Sequence, residues 1–315
     1  MDHNSHVMDH NSHALDHNSD GMPAATMVSS TKQEKVRIAE RWRRSNKPSY
    51  PKECGPRSRD LAQCPFNIFR DVHPVDVVMD PFPHVIKAEA LPKEMYAELE
   101  AAYPSDQTLA ELASSQDNKG LKNNFRFDAP GARIMLNKSR VDPLWVNFVE
   151  FHTSPAFYKE VLRVFGDALL EERSDFGKTG PEKKALKDML VKLRYTADNN
   201  TNVQLDCQIA MNSAVRKEAG SVRGPHLDAM GELFSGFLYF RQQGDNSTGG
   251  ELQIYECEEA CEALKVQEAA KEKRGMSTKK NHEHFDAKDP GLKLVSAVPY
   301  ARNSLTHSDP PSDPL

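Results

Sequence analysis

The sequence lacks the features of a membrane-spanning or secreted protein. It contains no run of about 18 apolar residues, the length that an α-helix needs to cross a bilayer. Its opening stretch, MDHNSHVMDHNSH, contains no apolar segment of the kind found in a secretory signal. We therefore expect a cytoplasmic protein with no membrane partner.

A surplus of positive charge is also missing. The chain has 41 Lys and Arg against 46 Asp and Glu, a formal net charge of -5. Dedicated nucleic-acid-binding proteins usually carry the opposite balance. Residues 32 to 50 predict a short basic helix, and a nucleic-acid-binding protein that uses residues 32 to 47 is one alternative. The overall acidic balance favours a protein with no nucleic-acid partner.

Cysteines are few, and no two of them form a CxxC pair. The five are scattered along the chain: Cys54, Cys64, Cys207, Cys257 and Cys261. An odd, scattered set favours reduced thiols in a cytosolic protein over a disulfide framework.

A polar repeat, MDHNSHV-MDHNSHA-LDHNSD, occupies the first 20 residues and holds five of the twelve histidines. Histidine-rich tracts bind transition metals, which is one interpretation of the repeat. The other is a disordered polar leader, because nothing in the repeat can form a core. We assign residues 1–65 to this leader and a basic linker, with the ordered part beginning near residue 66.

Residues 66–200 predict a helical support region. A strand around residues 84 to 87 precedes a helix on which Leu99 shares a face with Met95. A second helix is predicted over residues 142 to 152, and a third begins at Ser154-Pro155, an N-cap residue followed by proline. The charged segment 181 to 194 predicts a fourth helix.

From about residue 200 the apolar period changes to that of strands. Residues 203 to 213, VQLDCQIAMNS, alternate between apolar and polar, and further strands are predicted within 231 to 241, 249 to 256 and 291 to 299. The loop QQGDNSTGG has the glycines of a hairpin connection. These strands predict a β sandwich or barrel over residues 201–306, with a charged insertion at 257–289 and an irregular tail at 307–315. Helices followed by strands predict an α+β protein.

The segment RGPHLDAMGE, residues 223 to 232, carries the sharpest chemical signal. Side chains two apart on a strand share a face, so His226 and Asp228 can direct an imidazole nitrogen and a carboxylate oxygen at one point. Those are ligands of a non-haem ferrous ion. A surface hydrogen-bonding pair is the alternative interpretation.

The succession of RGPHLD, LFSGFLYFR, GGELQIYE and VPYARNSL resembles the iron(II)- and 2-oxoglutarate-dependent oxygenases, in particular their prolyl-hydroxylase-like branch. The resemblance covers roughly residues 80 to 305. It implies a double-stranded β-helix, a jelly roll, supported by N-terminal helices. It also implies Fe(II) on His226, Asp228 and a distal histidine, with 2-oxoglutarate as cosubstrate for hydroxylation of a small-molecule or peptidyl substrate. Gln208 and Asn212 either line the cosubstrate pocket or form an outward-facing polar row.

The pattern breaks at VPYARNSLTHSDPPSDPL, where the family continues to its distal histidine and a cosubstrate-binding arginine. His307 follows Leu305 too soon for the strand, turn and return of the family. Arg302 and the pair His282 and His284 are weaker substitutes. We therefore expect a shortened or altered form of an oxygenase, or a non-catalytic jelly-roll protein without a complete iron site.

Overall fold

A computed structural model of the 315-residue chain describes residues 51–55, 58, 60–113, 126–172, 185–212, 224–226, 232–241, 244–257 and 291–308. The histidine repeat, the basic segment 32 to 47, Asp228, His282, His284 and nearly all of the charged insertion lie outside the described residues. Predictions that concern them stay predictions.

Five α-helices lie within the described part of the chain, and the three predicted on strong periodicity are confirmed. Pro143 opens one of these helices after the N-cap Asp142, whose side chain accepts from the Leu144 N–H. Ser154 caps the next, with its hydroxyl 3.3 Å from the Phe157 N–H. The helices are α1 (Lys93–Ala101), α2 (Asp106–Leu112), α3 (Gly131–Leu136), α4 (Pro143–His152) and α5 (Pro155–Glu172).

Nine short strands, counted over the described residues, form four small sheets. The order β1-β9-β6 makes an antiparallel three-stranded sheet, and the pairs β2–β5 and β7–β8 are antiparallel, whereas β3–β4 is parallel. The strands are β1 (His84–Lys87), β2 (Arg126–Ala129), β3 (Val191–Leu193), β4 (Val203–Leu205), β5 (Ile209–Asn212), β6 (Ser235–Leu238), β7 (Leu252–Cys257), β8 (Leu292–Val298) and β9 (Leu305–Ser308). A mixed α+β fold is therefore confirmed.

The strand β9 is the centre of the three-stranded sheet, although part of it was predicted as an irregular tail. His307 pairs with Val85 on one side and with Gly236 on the other. Asn303, just before the strand, has a positive φ of 56°. Its side-chain amide donates to the carbonyl of Leu91 and accepts from the Leu91 N–H, at 2.7 and 2.9 Å. These two bonds fix the chain that enters β9 against the segment between β1 and α1.

Three local predictions were wrong. The described part of the predicted strand 203 to 213, residues 203–212, forms two strands in different sheets instead of one strand. The segment 185–194 holds a short 3-10 helix (Leu186–Asp188) and the strand β3 instead of part of a fourth helix. The QQGDNSTGG loop does not close a hairpin, because β6 pairs with β9 and β7 with β8, although its glycines Gly244, Gly249 and Gly250 do adopt positive φ.

One hydrophobic cluster runs through the molecule, from Cys54 to Leu305, and includes side chains from the helices and the strands. Cys54 and Cys64 are fully buried in it and form a disulfide, and Cys257 is also disulfide-bonded. The expectation of reduced thiols is therefore wrong for these three cysteines, whereas Cys207 is a free thiol. Among the described helices, none has the length and apolar character needed to cross a membrane.

Candidate functional site

His226 is the described member of the predicted ligand pair. It is half-buried and lies at an isolated β-bridge, directly after Gly224-Pro225. Its Nδ1 lies 2.8 Å from the carbonyl oxygen of Gly224. Because a carbonyl oxygen can only accept, Nδ1 carries a proton, and in the neutral ring the lone pair is on Nε2. A metal-bound histidine usually has this arrangement, with the second ring nitrogen held by a backbone carbonyl or a carboxylate.

Gln208 and Asn212 do not share a single strand. Gln208 lies in the link between β4 and β5, is exposed, and donates from Nε2 to Asp206 Oδ2 at 2.9 Å. Asn212 ends β5, also exposed, opposite Arg126 on β2. Gln208 is therefore bound to a neighbouring carboxylate, and Asn212 lies at the end of a two-stranded sheet.

Asp206 is a structurally important residue that sequence reasoning missed. Its Oδ1 accepts from the Gly131 N–H at 2.9 Å, at the start of α3, while Oδ2 holds Gln208. A Cβ at Gly131 would approach the Cys207 carbonyl to 3.0 Å, so this contact needs glycine. The strand β4 ends just before Asp206, whose side chain binds the start of α3, although the apolar–polar alternation of the sequence continues past it. In the sequence it looks like any other member of the polar row.

His307, the nearest substitute for the distal ligand, is 2% exposed and enclosed by aromatic rings. The ring centroids of Phe69, Phe165 and Phe234 lie 4.9, 4.8 and 5.1 Å from its own. Burial lowers the pKa of His307 to about 3. Its Nε2 has no hydrogen-bond partner among the described residues. The imidazole is therefore neutral and held in an apolar environment.

Arg302, the substitute for the cosubstrate arginine, already binds a carboxylate of the protein. Its Nη1 and Nη2 lie 2.6 Å from the two carboxylate oxygens of Glu100 in α1. The guanidinium also lies over the ring of Tyr96, 5.4 Å from its centroid. Only Nη2 donates a hydrogen bond to Glu100, through Oε2, because Nη1 donates instead to the Arg241 carbonyl at 3.1 Å. Glu100 Oε1 has no hydrogen-bond partner among the described residues, so the contact is a close ion pair and not a bidentate one.

The described residues contain no group of three or more histidine, cysteine, aspartate or glutamate side chains placed to hold a metal ion. In comparisons with known proteins, no family model, curated protein or solved structure matches the chain. Assignment of a function therefore depends on the residues themselves and on the order of the motifs.

Proposed function

We propose that this protein is an iron(II)- and 2-oxoglutarate-dependent oxygenase that hydroxylates a small-molecule or peptidyl substrate, and that its strands belong to a jelly roll. The observation that carries the proposal is the orientation of the His226 ring, which a hydrogen bond to a backbone carbonyl fixes. The Gly224 carbonyl fixes the ring with its lone pair on Nε2, as a metal ligand requires. Asp228, two residues on, supplies a carboxylate from the same short segment.

His226 Nε2 and the Asp228 carboxylate are the donors that would hold the iron, and they fit its preference for imidazole and carboxylate ligands. Iron bound there would supply the reaction of dioxygen with 2-oxoglutarate and a substrate C–H bond, in which one oxygen atom ends in succinate, the other in the hydroxyl group, and carbon dioxide is released. Gly224 keeps the imidazole in one tautomer and limits its rotation. Gln208 and Asn212 are the proposed lining of the cosubstrate pocket.

The test is succinate formation from 2-oxoglutarate by purified protein with ferrous iron. We expect turnover in the unaltered chain and only background turnover in His226→Ala and Asp228→Asn. His73→Ala is the matched control, because His73 is an exposed histidine. Calorimetric titration with 2-oxoglutarate in the presence of Fe(II) gives a readout that needs no substrate. If the unaltered chain neither converts 2-oxoglutarate to succinate nor binds 2-oxoglutarate, the proposal is wrong.

A second candidate is a jelly-roll protein without catalytic activity, and two observations favour it. The Arg302 guanidinium is occupied by Glu100, and His307 is enclosed by phenylalanines. Under this function the chain binds neither Fe(II) nor 2-oxoglutarate stoichiometrically. Tight binding of both in the titration excludes it, and binding that is lost in His226→Ala decides for the oxygenase.

A further inference from the structure

We propose that Arg70 and Lys87 form a binding site for a ligand carboxylate, and that the side chain of Asp71 occupies this site in the free protein. The inference rests on residues other than His226 and Asp228 and does not rest on the iron chemistry. The geometry that carries it is a pair of cationic side chains that share one carboxylate oxygen.

Both cations approach the same atom. Arg70 Nε lies 3.3 Å and Lys87 Nζ 3.7 Å from Asp71 Oδ2. Each nitrogen is almost inaccessible to solvent, and neither donates a hydrogen bond to a described residue. A buried donor without an acceptor destabilises the folded protein, because it has lost its hydrogen bonds to water. Asp71 therefore neutralises two cations only in part and satisfies neither as a donor.

The two cations are held by rigid elements. Arg163 of α5 donates from Nη2 to the Phe69 carbonyl and from Nη1 to the Val72 carbonyl, both at 2.8 Å. These bonds fix the backbone on each side of Arg70 and Asp71. Lys87 ends β1, where it pairs with Leu305 of the central strand β9. A site whose charged groups are already in place loses little entropy when a ligand binds.

Asp71, in contrast, is free to leave. Its side chain is 68% exposed, whereas that of Lys87 is 17% exposed. The Asp71 carboxylate is therefore already largely hydrated, so rotating it into water costs it little desolvation, and the incoming carboxylate replaces it beside the two buried nitrogens. Nearby Asp76 does not take its place, because its Oδ2 accepts from the His73 N–H at 2.7 Å. An incoming carboxylate would then contact both Arg70 and Lys87. Because it carries one negative charge, one of their two positive charges would still be uncompensated.

The present occupant identifies the class of ligand. Asp71 shows that a single carboxylate oxygen reaches both cations, and Arg70 is exposed enough to offer the rest of its guanidinium to the second oxygen. Arginine binds carboxylates through such parallel hydrogen bonds. The ligand we infer is a small organic acid or an acidic side chain of a substrate.

The test uses 4-fluorobenzoate, whose binding is followed by ¹⁹F NMR, with the neutral 4-fluorobenzamide as control for the ring. We expect weak binding to the unaltered chain and binding about three- to tenfold tighter in Asp71→Asn, because the competing carboxylate is gone. Lys87→Met and Arg70→Gln should each weaken binding about tenfold or more. Arg70→Gln provides the second variant because Arg70 is the more exposed of the two cations.

The matched control is Glu256→Gln, which removes a carboxylate from another exposed ion pair, with Lys293 at 2.8 Å. It changes the net charge by the same amount as Asp71→Asn and should leave the affinity unchanged. Equal affinities in Asp71→Asn and Glu256→Gln would overturn the site. Displacement of the probe by inorganic phosphate at lower concentration than by acetate would overturn the class of ligand.

Discussion

Two buried imidazoles, those of His152 and His307, belong to one aromatic cluster. The ring of His152 lies 4.6 Å from that of Phe157, Phe157 stacks on Phe69 at 5.6 Å, and Phe69 meets His307 at 4.9 Å between centroids. Neither Nε2 has a hydrogen-bond partner among the described residues. Burial lowers the pKa of His152 to about 4 and that of His307 to about 3. Protonation of either ring would leave an unpaired charge in the core.

These two pKa values predict that acid destabilises the fold. Above pH 6.5 both histidines are neutral in the folded and unfolded chains, and their contribution to stability is complete. As the pH falls below 6.5, the unfolded chain binds protons that the folded chain does not, down to about pH 4 for His152 and about pH 3 for His307. Each histidine then lowers the free energy of unfolding by up to about 1.4 kcal/mol per pH unit.

Urea unfolding at pH 7, 6 and 5 measures this slope. His152→Leu should remove the share of the slope due to His152, whereas His73→Ala should leave it unchanged, because His73 is exposed. An identical slope in the unaltered chain and in His152→Leu would show that His152 is not a neutral buried imidazole. Carboxylates also contribute to the slope at low pH. The unaltered chain and both variants contain the same carboxylates, so a difference in slope between them is due to the replaced histidine.

At the level of single residues, the sequence indicates candidate ligands but does not indicate their surroundings. His226 stands out by its spacing from Asp228, but its tautomer depends on where the Gly224 carbonyl points. Arg302 pairs with Glu100, 202 residues earlier in the chain, and no local pattern indicates that contact. Environment decides whether a histidine or an arginine is available to a ligand.

The pairing of β6 with β9 depends on a close approach at Gly236. A Cβ at this position would come within 2.6 Å of His307 Nδ1. The imidazole is enclosed by Phe69, Phe165 and Phe234 and has little room to move. The absence of a side chain at residue 236 is therefore what lets His307 lie inside the sheet.

Gly236→Ala should consequently lower the free energy of unfolding by about 1–3 kcal/mol, the usual cost of overpacking. Gly166→Ala is the control, because a Cβ there meets nothing within 4 Å on the helix α5. That substitution should stabilise the protein by about 0.5–1 kcal/mol through helix propensity. Chemical denaturation of both variants tests the pair of predictions. A neutral Gly236→Ala would mean that His307 can move away from β6.

Elements were predictable where the pattern is local. The helices α1 and α5 bury one face, and a period of 3.6 residues reveals that face without knowledge of its partner. Helix α4 is buried on nearly every side and is marked instead by its apolar residues after Asp142-Pro143. Strands need a partner, and the partner is chosen by the tertiary structure. Thus β4 pairs parallel with β3 and β5 antiparallel with β2, although their residues alternate as if in one strand.

At the scale of the whole molecule, the core does not follow the predicted division at residues 65 and 200. The hydrophobic cluster includes Cys54 and Cys64 from the predicted leader, Phe148 and Phe165 from the helices, and Leu305 from the last strand. Burial of the two cysteines ties the segment that begins at residue 51 to the rest of the core. We infer that the predicted support region and the strands fold as one unit.

The Cys54–Cys64 disulfide makes the stability of this unit depend on redox conditions. The bridge spans a sequence separation of 10 residues, and closing such a loop stabilises a protein by about 2–3 kcal/mol through the unfolded state. A reductant should therefore lower the free energy of unfolding by that amount more in the unaltered chain than in Cys54→Ala/Cys64→Ala. The double variant corrects for the disulfide of Cys257, which the reductant also removes.

Cys207 provides the internal comparison for this last prediction, because burial raises the pKa of its thiol to about 12 and so keeps it from reacting as a thiolate. Peptide mapping without reductant should recover Cys54 and Cys64 as one linked pair and Cys207 as a thiol. Recovery of Cys54 and Cys64 as thiols from protein made in an oxidising compartment would contradict the disulfide. Structural disulfides persist in oxidising compartments and are rare in the cytosol. The full stability of this fold is therefore expected only under conditions in which the Cys54–Cys64 bridge stays oxidised.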